Sequence, residues 1–191
     1  MVTRAITENE LKDILDMAKN GFNYTDEKGI ERKFRPNAKL YLAIYLQANL
    51  GLRIGDTLKI RLENFQNGQL VLTEEKTDKI KVFMVNTYVS EKVFNYAIEN
   101  NIKRDELLIQ RMSEKTVQKH FRTITKVLGL TNVSTHSARK FFATQMYQKS
   151  DNDLIAVQKM LNHCNTSITE KYINTKQEKI NKLTSNHHID V

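Results

Sequence analysis

One proline and six glycines in 191 residues restrict this chain more than any other feature. β-Sandwiches and barrels need many glycine- and proline-bearing corners, whereas helix interiors tolerate neither residue well. A chain so poor in both is expected to be mainly α-helical. Its 40% hydrophobic and 27% charged residues form an ordinary globular balance. The length suits one sizeable domain with its own core.

Apolar spacing supplies the elements. Thr7 and Glu10 make a capping-box pattern ahead of Leu11, Ile14, Leu15 and Ala18, so a first helix is expected to close near Asn20 and Gly21. The polar stretch 22–35 holds a turn or short hairpin tip at 26–29. Pro36 is placed as the first-turn proline of a strongly apolar helix over about 37–49, which Gly51 ends. Ile54, Leu58 and Leu62 share one helical face. After Asn67 and Gly68 the period changes, and 69–73 and 79–85 read as two short strands joined by 74–78. Helical spacing returns at Val89, Val93 and Ala97. Further helices are marked by Val117, Phe121, Ile124 and Leu128 behind Ser113, and by Phe142 and Met146 behind Ser134 or Thr135. A last clear one carries Leu154, Ile155, Val157 and Leu161 behind Asp151 or Asn152. The expected class is mainly α with a small antiparallel β-sheet (α+β). Residues 1–175 read as one domain, and 176–191 as a C-terminal tail or short helix.

No apolar stretch approaches the roughly 20 residues that span a bilayer, and the first ten residues lack a signal peptide's apolar region. The single Cys164 forms no internal disulfide, so a cytoplasmic location is the default expectation. A net charge of +8 and a pI near 9.5 favour a polyanionic partner, either nucleic acid or an acidic membrane surface.

Four short stretches carry the chemistry. Gly51-Leu52-Arg53-Ile54-Gly55-Asp56 sets an arginine between two helices. Glu75-Lys76-Thr77-Asp78-Lys79 is a basic tip between two strands. Thr135-His136-Ser137-Ala138-Arg139 places a histidine and an arginine three apart, on one helical face. Such a pair suits a phosphate, since one group moves a proton and the other grips oxygens with a planar fork. Leu161-Asn162-His163 is followed by Tyr172 nine residues after the histidine. Taken alone, each stretch is a poor signal, and the surface arginine, the solvated hairpin and the core tyrosine are the readier readings, with a helix-start histidine the plain alternative at His136. His163 beside Cys164, with His187 and His188 near the end, has no metal-ligand spacing.

Taken in order, these stretches resemble the tyrosine recombinase (phage integrase) family. Its pattern is an arginine in a G-L-R-I-like turn, a hairpin lysine, H-x-x-R, L-G-H, and a tyrosine about nine residues on. The matching positions are Arg53, Lys76, His136, Arg139, His163 and Tyr172, and the likeness runs from about Thr7 to Tyr172. Asp56 stands where the family usually has glutamate. Ala138 and Lys140 replace the residues more often found around the H-x-x-R arginine, and Asn162 replaces the glycine of L-G-H. The family's separate N-terminal DNA-binding domain has no counterpart here, as in a catalytic fragment or a short natural form.

The resemblance implies a site-specific recombinase that cleaves and rejoins DNA through a 3′-phosphotyrosyl link. It needs neither cofactor nor metal, and it works on double-stranded DNA as a homo-oligomer, a tetramer in the family, without a membrane. Tyr172 would be the nucleophile and His136 the base, with Arg53, Arg139 and His163 on the phosphate and Lys76 as general acid. Arg32, Lys33, Arg35, Lys115, Lys119, Arg122 and Lys140 are candidate contacts to DNA phosphates. Two other outcomes of the same fold are a catalytically silent DNA-binding regulator and a type IB topoisomerase-like enzyme.

Overall fold

The computed structural model describes residues 3–75, 78, 80–161 and 169. Helix α1 (Glu8–Asn20) opens on Thr7, whose hydroxyl accepts from the Glu10 amide while the Glu10 carboxylate accepts from the Thr7 amide. Strands β1 (Phe22–Thr25) and β2 (Glu31–Phe34) form an antiparallel hairpin. Helix α2 (Ala38–Leu50) and the short α3 (Ile54–Leu58) follow. A 3-10 turn (Leu62–Asn64) leads into β3 (Phe65–Gln66), β4 (Gln69–Thr73) and β5 (Ile80–Met84), an antiparallel sheet in that order. Helices α4 (Thr87–Glu99), α5 (Glu114–Val127), α6 (Thr135–Lys149) and α7 (Leu154–Leu161) complete the described elements. The chain divides into two compact units, Met1–Phe142 and Ala143–Val191. Among the described residues, no helix is long and apolar enough to cross a membrane.

The first unit is built around α2. Leu40, Leu42, Ala43, Ile44, Leu46 and Leu50 are all buried, so most of this helix is covered, by α1, α3 and α5, and only the side bearing Ala38, Tyr41, Tyr45 and Asn49 stays partly open. Its neighbours are amphipathic: α1 buries Leu11, Ile14 and Ala18, and α5 buries Val117, Phe121 and Ile124. That is the stripe spacing of helices laid on a core.

Two local expectations need correction. Pro36 lies outside α2, because Asn37 is the N-cap and its side chain accepts from the Leu40 amide. Ile54, Leu58 and Leu62 do not share a helix. The chain leaves α3 after Leu58 so that Ile60 can be buried, and Leu62 starts the 3-10 turn. The hairpin tip expected at 26–29 is present, and the strands on either side of it are held by Phe22 stacked on Phe34 at 4.9 Å.

Gly51 ends α2 in the left-handed region (φ +61°), and its amide donates to the Gln47 carbonyl. A Cβ there would also lie 2.3 Å from Cδ1 of Phe142. Left-handed backbone costs a non-glycine residue about 1–2 kcal/mol, and forced overpacking adds about 1–3 kcal/mol. Gly51→Ala is therefore expected to destabilise the protein by about 2–5 kcal/mol, read as a lowered urea midpoint at unchanged m-value.

Candidate functional site

The turn at Gly51 buries Leu52 completely and delivers Arg53 as the N-cap residue of α3. There the Arg53 guanidinium meets two carboxylates. Nη1 lies 2.8 Å from Oε2 of Glu74 and 3.8 Å from Oδ2 of Asp56. Glu74 is fully buried at the end of β4, and Asp56 is nearly so. The other Asp56 oxygen accepts from the Glu75 amide at 2.9 Å. One aspartate thus ties α3 to the base of the β4–β5 hairpin, the loop on which Lys76 lies in sequence.

Helix α6 supplies the opposite wall. Its first turn is closed by Ser137 Oγ accepting from the Ser134 amide, with Ser134 Oγ accepting from the His136 amide. Arg139 is only 1% exposed, and its Nη1 donates to the Gly51 carbonyl at 2.7 Å. The helix-ending turn that presents Arg53 is therefore held by the second arginine. His136, one turn earlier, stays exposed. Partial desolvation, then Arg139, Lys140 and Arg53, lower its pKa, with Glu114 opposing. The ring consequently favours its neutral, proton-accepting form.

The structure thus gathers Arg53, His136 and Arg139 into one charge cluster. Lys76, His163 and Tyr172 lie outside the described residues. Lys140 departs from its expected role on a solvated, DNA-facing surface. It is buried, and its ammonium donates to the Thr3 carbonyl.

Two members of the cluster were not anticipated from the sequence, Glu74 and Lys81. Lys81 projects inward from β5 and is 6% exposed, while Ile80, Val82 and Met84 are 70%, 53% and 69% exposed. Alternation by hydrophobicity places those three apolar residues inside, the reverse of what the strand does. The one sequence signal was the parity itself: Lys81, Phe83 and Val85 share a strand face. Burial lowers the Lys81 pKa to about 8; Arg139 and Arg53 push the same way, and Glu74 and Asp56 oppose.

Within the cluster, three cations (Arg53, Lys81, Arg139) face two carboxylates (Asp56, Glu74). Among the described residues that act on Lys81, one positive charge is left over in partly to fully buried surroundings, an arrangement that favours an anion. Among the described residues, no group of three or more His, Cys, Asp or Glu side chains is placed to hold a metal ion.

Comparison with known proteins identifies the family and the fold. The family model described as Phage integrase family matches residues 4–179. The chain is 28% identical over 149 residues to the "Probable integrase/recombinase YoeC" of Bacillus subtilis (strain 168), covering 74% of this chain and 81% of that protein. It is also 28% identical to the tyrosine recombinase XerC of Staphylococcus carnosus (strain TM300), matching 72% of this chain and half of XerC. Among solved structures, XerH site-specific recombinase in a post-cleavage complex with a palindromic difH substrate superposes with a TM-score of 0.68. That match has 21% identity and covers 97% of this chain and 54% of XerH. With the fold, the motif order and a family match over nearly its whole length, this chain belongs to the phage integrase family of tyrosine recombinases.

Proposed function

We propose that the protein is a site-specific DNA recombinase that cuts one strand at a time and keeps the bond energy in a 3′-phosphotyrosyl ester. The observation that carries this reading is the surplus of positive charge that buried Lys81 and Arg139 and partly exposed Arg53 hold over Asp56 and Glu74 among the described residues. A phosphodiester supplies the missing negative charge, and DNA is what the related XerH holds in its complex.

In this mechanism the Tyr172 hydroxyl oxygen attacks phosphorus, forming the Tyr–O–P bond, and the bond from phosphorus to the 5′-oxygen breaks. The phenolic proton passes to neutral His136, and Lys76 protonates the departing 5′-oxygen. Arg53 and Arg139 clamp the non-bridging oxygens, where negative charge accumulates in the transition state. His163 donates a further hydrogen bond to the same phosphate. A 5′-hydroxyl from a partner strand then attacks the phosphotyrosine and releases Tyr172. The exchange takes place in a homo-oligomer on double-stranded DNA.

Incubation with nicked duplexes of randomised sequence tests the proposal. A covalent protein–DNA species should survive a denaturing gel, and mass spectrometry should place the nucleotide on the tryptic peptide that begins at Tyr172. Tight duplex binding without any adduct supports a silent regulator instead. Relaxation of supercoiled plasmid without strand exchange supports a topoisomerase-like activity.

The neutral state of His136 predicts the acid limb of this reaction. Because its pKa is lowered from the ordinary 6.5, the base form survives further into acid than a free histidine would. Adduct formation should therefore fall along a one-proton limb with a midpoint below 6.5. His136→Gln should remove that limb and slow the step on the order of 10²-fold.

A further inference from the structure

Lys81 is the member of the cluster that the mechanism above leaves without a task. Its Nζ is buried, with no hydrogen-bond partner among the described residues. The Phe83 ring lies 4.9 Å away, and the Glu74 carboxylate is engaged by Arg53 at 2.8 Å. The charged groups that act on Lys81 among the described residues come from each packed element. They are Glu74 at the end of β4, Arg53 and Asp56 on α3, and Arg139 on α6. A buried ammonium without an acceptor is costly, and a hydrophobic residue at this strand position would remove that cost.

Resting on the reading of the site as a phosphodiester pocket, we propose that Lys81 is a positioning residue whose ammonium is the counter-charge of the bound DNA phosphate, so that DNA binding draws a proton onto it. Without DNA, burial does most to lower its affinity for a proton, two arginines add to that, and two carboxylates offset only part of their effect. A phosphate set between Arg53 and Arg139 adds a negative charge to the same pocket and reverses that balance. Lys81 then keeps both arginines and the phosphate in register. It does so through the field, with no bond to the reacting atoms.

The sign follows from the free pKa near 8. At pH 8.5 about three quarters of DNA-free Lys81 is neutral, so binding takes up on the order of 0.7 proton per protomer. Between pH 7 and 9.5 affinity should fall on the order of tenfold beyond any change shared by all variants. By the same linkage, folded-state stability rises with pH from about 8 toward the unfolded lysine value near 10.4.

Calorimetric titration of a 30-bp random-sequence duplex (roughly three turns) into the full chain, at pH 8.5 in buffers of different ionisation enthalpy, reads the uptake directly. Tyr172→Phe as the background blocks covalent chemistry. The uptake should vanish in Lys81→Met, whose affinity at pH 7 drops to about the parent's value at pH 9.5. Lys81→Arg, which keeps the charge and cannot titrate in this range, should bind tightly at both pH values without uptake. Lys81→Met loses a buried charge and should fold at least as stably, so a binding defect cannot be ascribed to misfolding. Uptake that persists unchanged in Lys81→Met overturns the proposal, whether or not the protein forms an adduct. Lys81-dependent uptake without any adduct from the Tyr172-bearing chain overturns the recombinase reading and leaves the counter-charge role standing.

Discussion

Tyr172→Phe should abolish the covalent protein–DNA adduct, a loss on the order of 10⁴-fold or more, while duplex affinity changes by less than about twofold. The substitution removes one oxygen and almost no volume. A phenol with a pKa of about 10 is a weak nucleophile at neutral pH, so the cluster has to lower the barrier around it. In the proposed mechanism the charge of Arg53, Lys81 and Arg139 acts on the phosphate, and neutral His136 takes the phenolic proton. None of these groups supplies a bond to phosphorus. Affinity should persist because it comes from lysines and arginines on the backbone phosphates. Denaturing gels for the adduct and fluorescence anisotropy for the duplex check the two halves separately. An adduct of normal yield in Tyr172→Phe overturns the assignment of the nucleophile.

Arg139→Ala should damage both catalysis and stability. Arg139 is among the largest fully buried side chains, and its Nη1 donates to the Gly51 carbonyl across 88 positions of sequence. Truncation leaves that carbonyl without its charged donor, worth about 1–3 kcal/mol, and opens a cavity beside the turn. The expected loss is about 3 kcal/mol or more in urea unfolding. The rate of adduct formation should fall on the order of 10² to 10³-fold, as when a donor to a developing oxyanion is removed. Arg53 is expected to lose its setting as well, because it follows Gly51 by two residues. Arg139→Lys separates the two effects. It retains the charge and most of the packing, yet it lacks the planar fork that serves a carbonyl and a phosphate together. Its folding should therefore recover more than its rate.

The helices were legible because each depends on local signals. Thr7 with Glu10, Asn37 and Ser113 all cap as their residue types favour, and apolar residues three and four apart mark the buried stripes. The motif residues were legible for a related reason: chemistry demands particular side chains in a fixed order, so Arg53, His136 and Arg139 could be picked out as letters. The strands were less so. β1 alternates half-buried and exposed residues over only four positions, β2 buries only Phe34, and β5 carries its alternation inverted.

What waited for the tertiary structure is the electrostatic state of the site. Sequence order named the arginines, but it could not say that Glu74 would be buried against Arg53, or that Asp56 would anchor the hairpin base. Nor could it turn Lys81 inward while Ile80, Val82 and Met84 face solvent. A side chain's type is local, whereas its charge state depends on every group within a few ångströms and on the water excluded there. In this protein those neighbours come from α3, β4 and α6, and only folding brings them together.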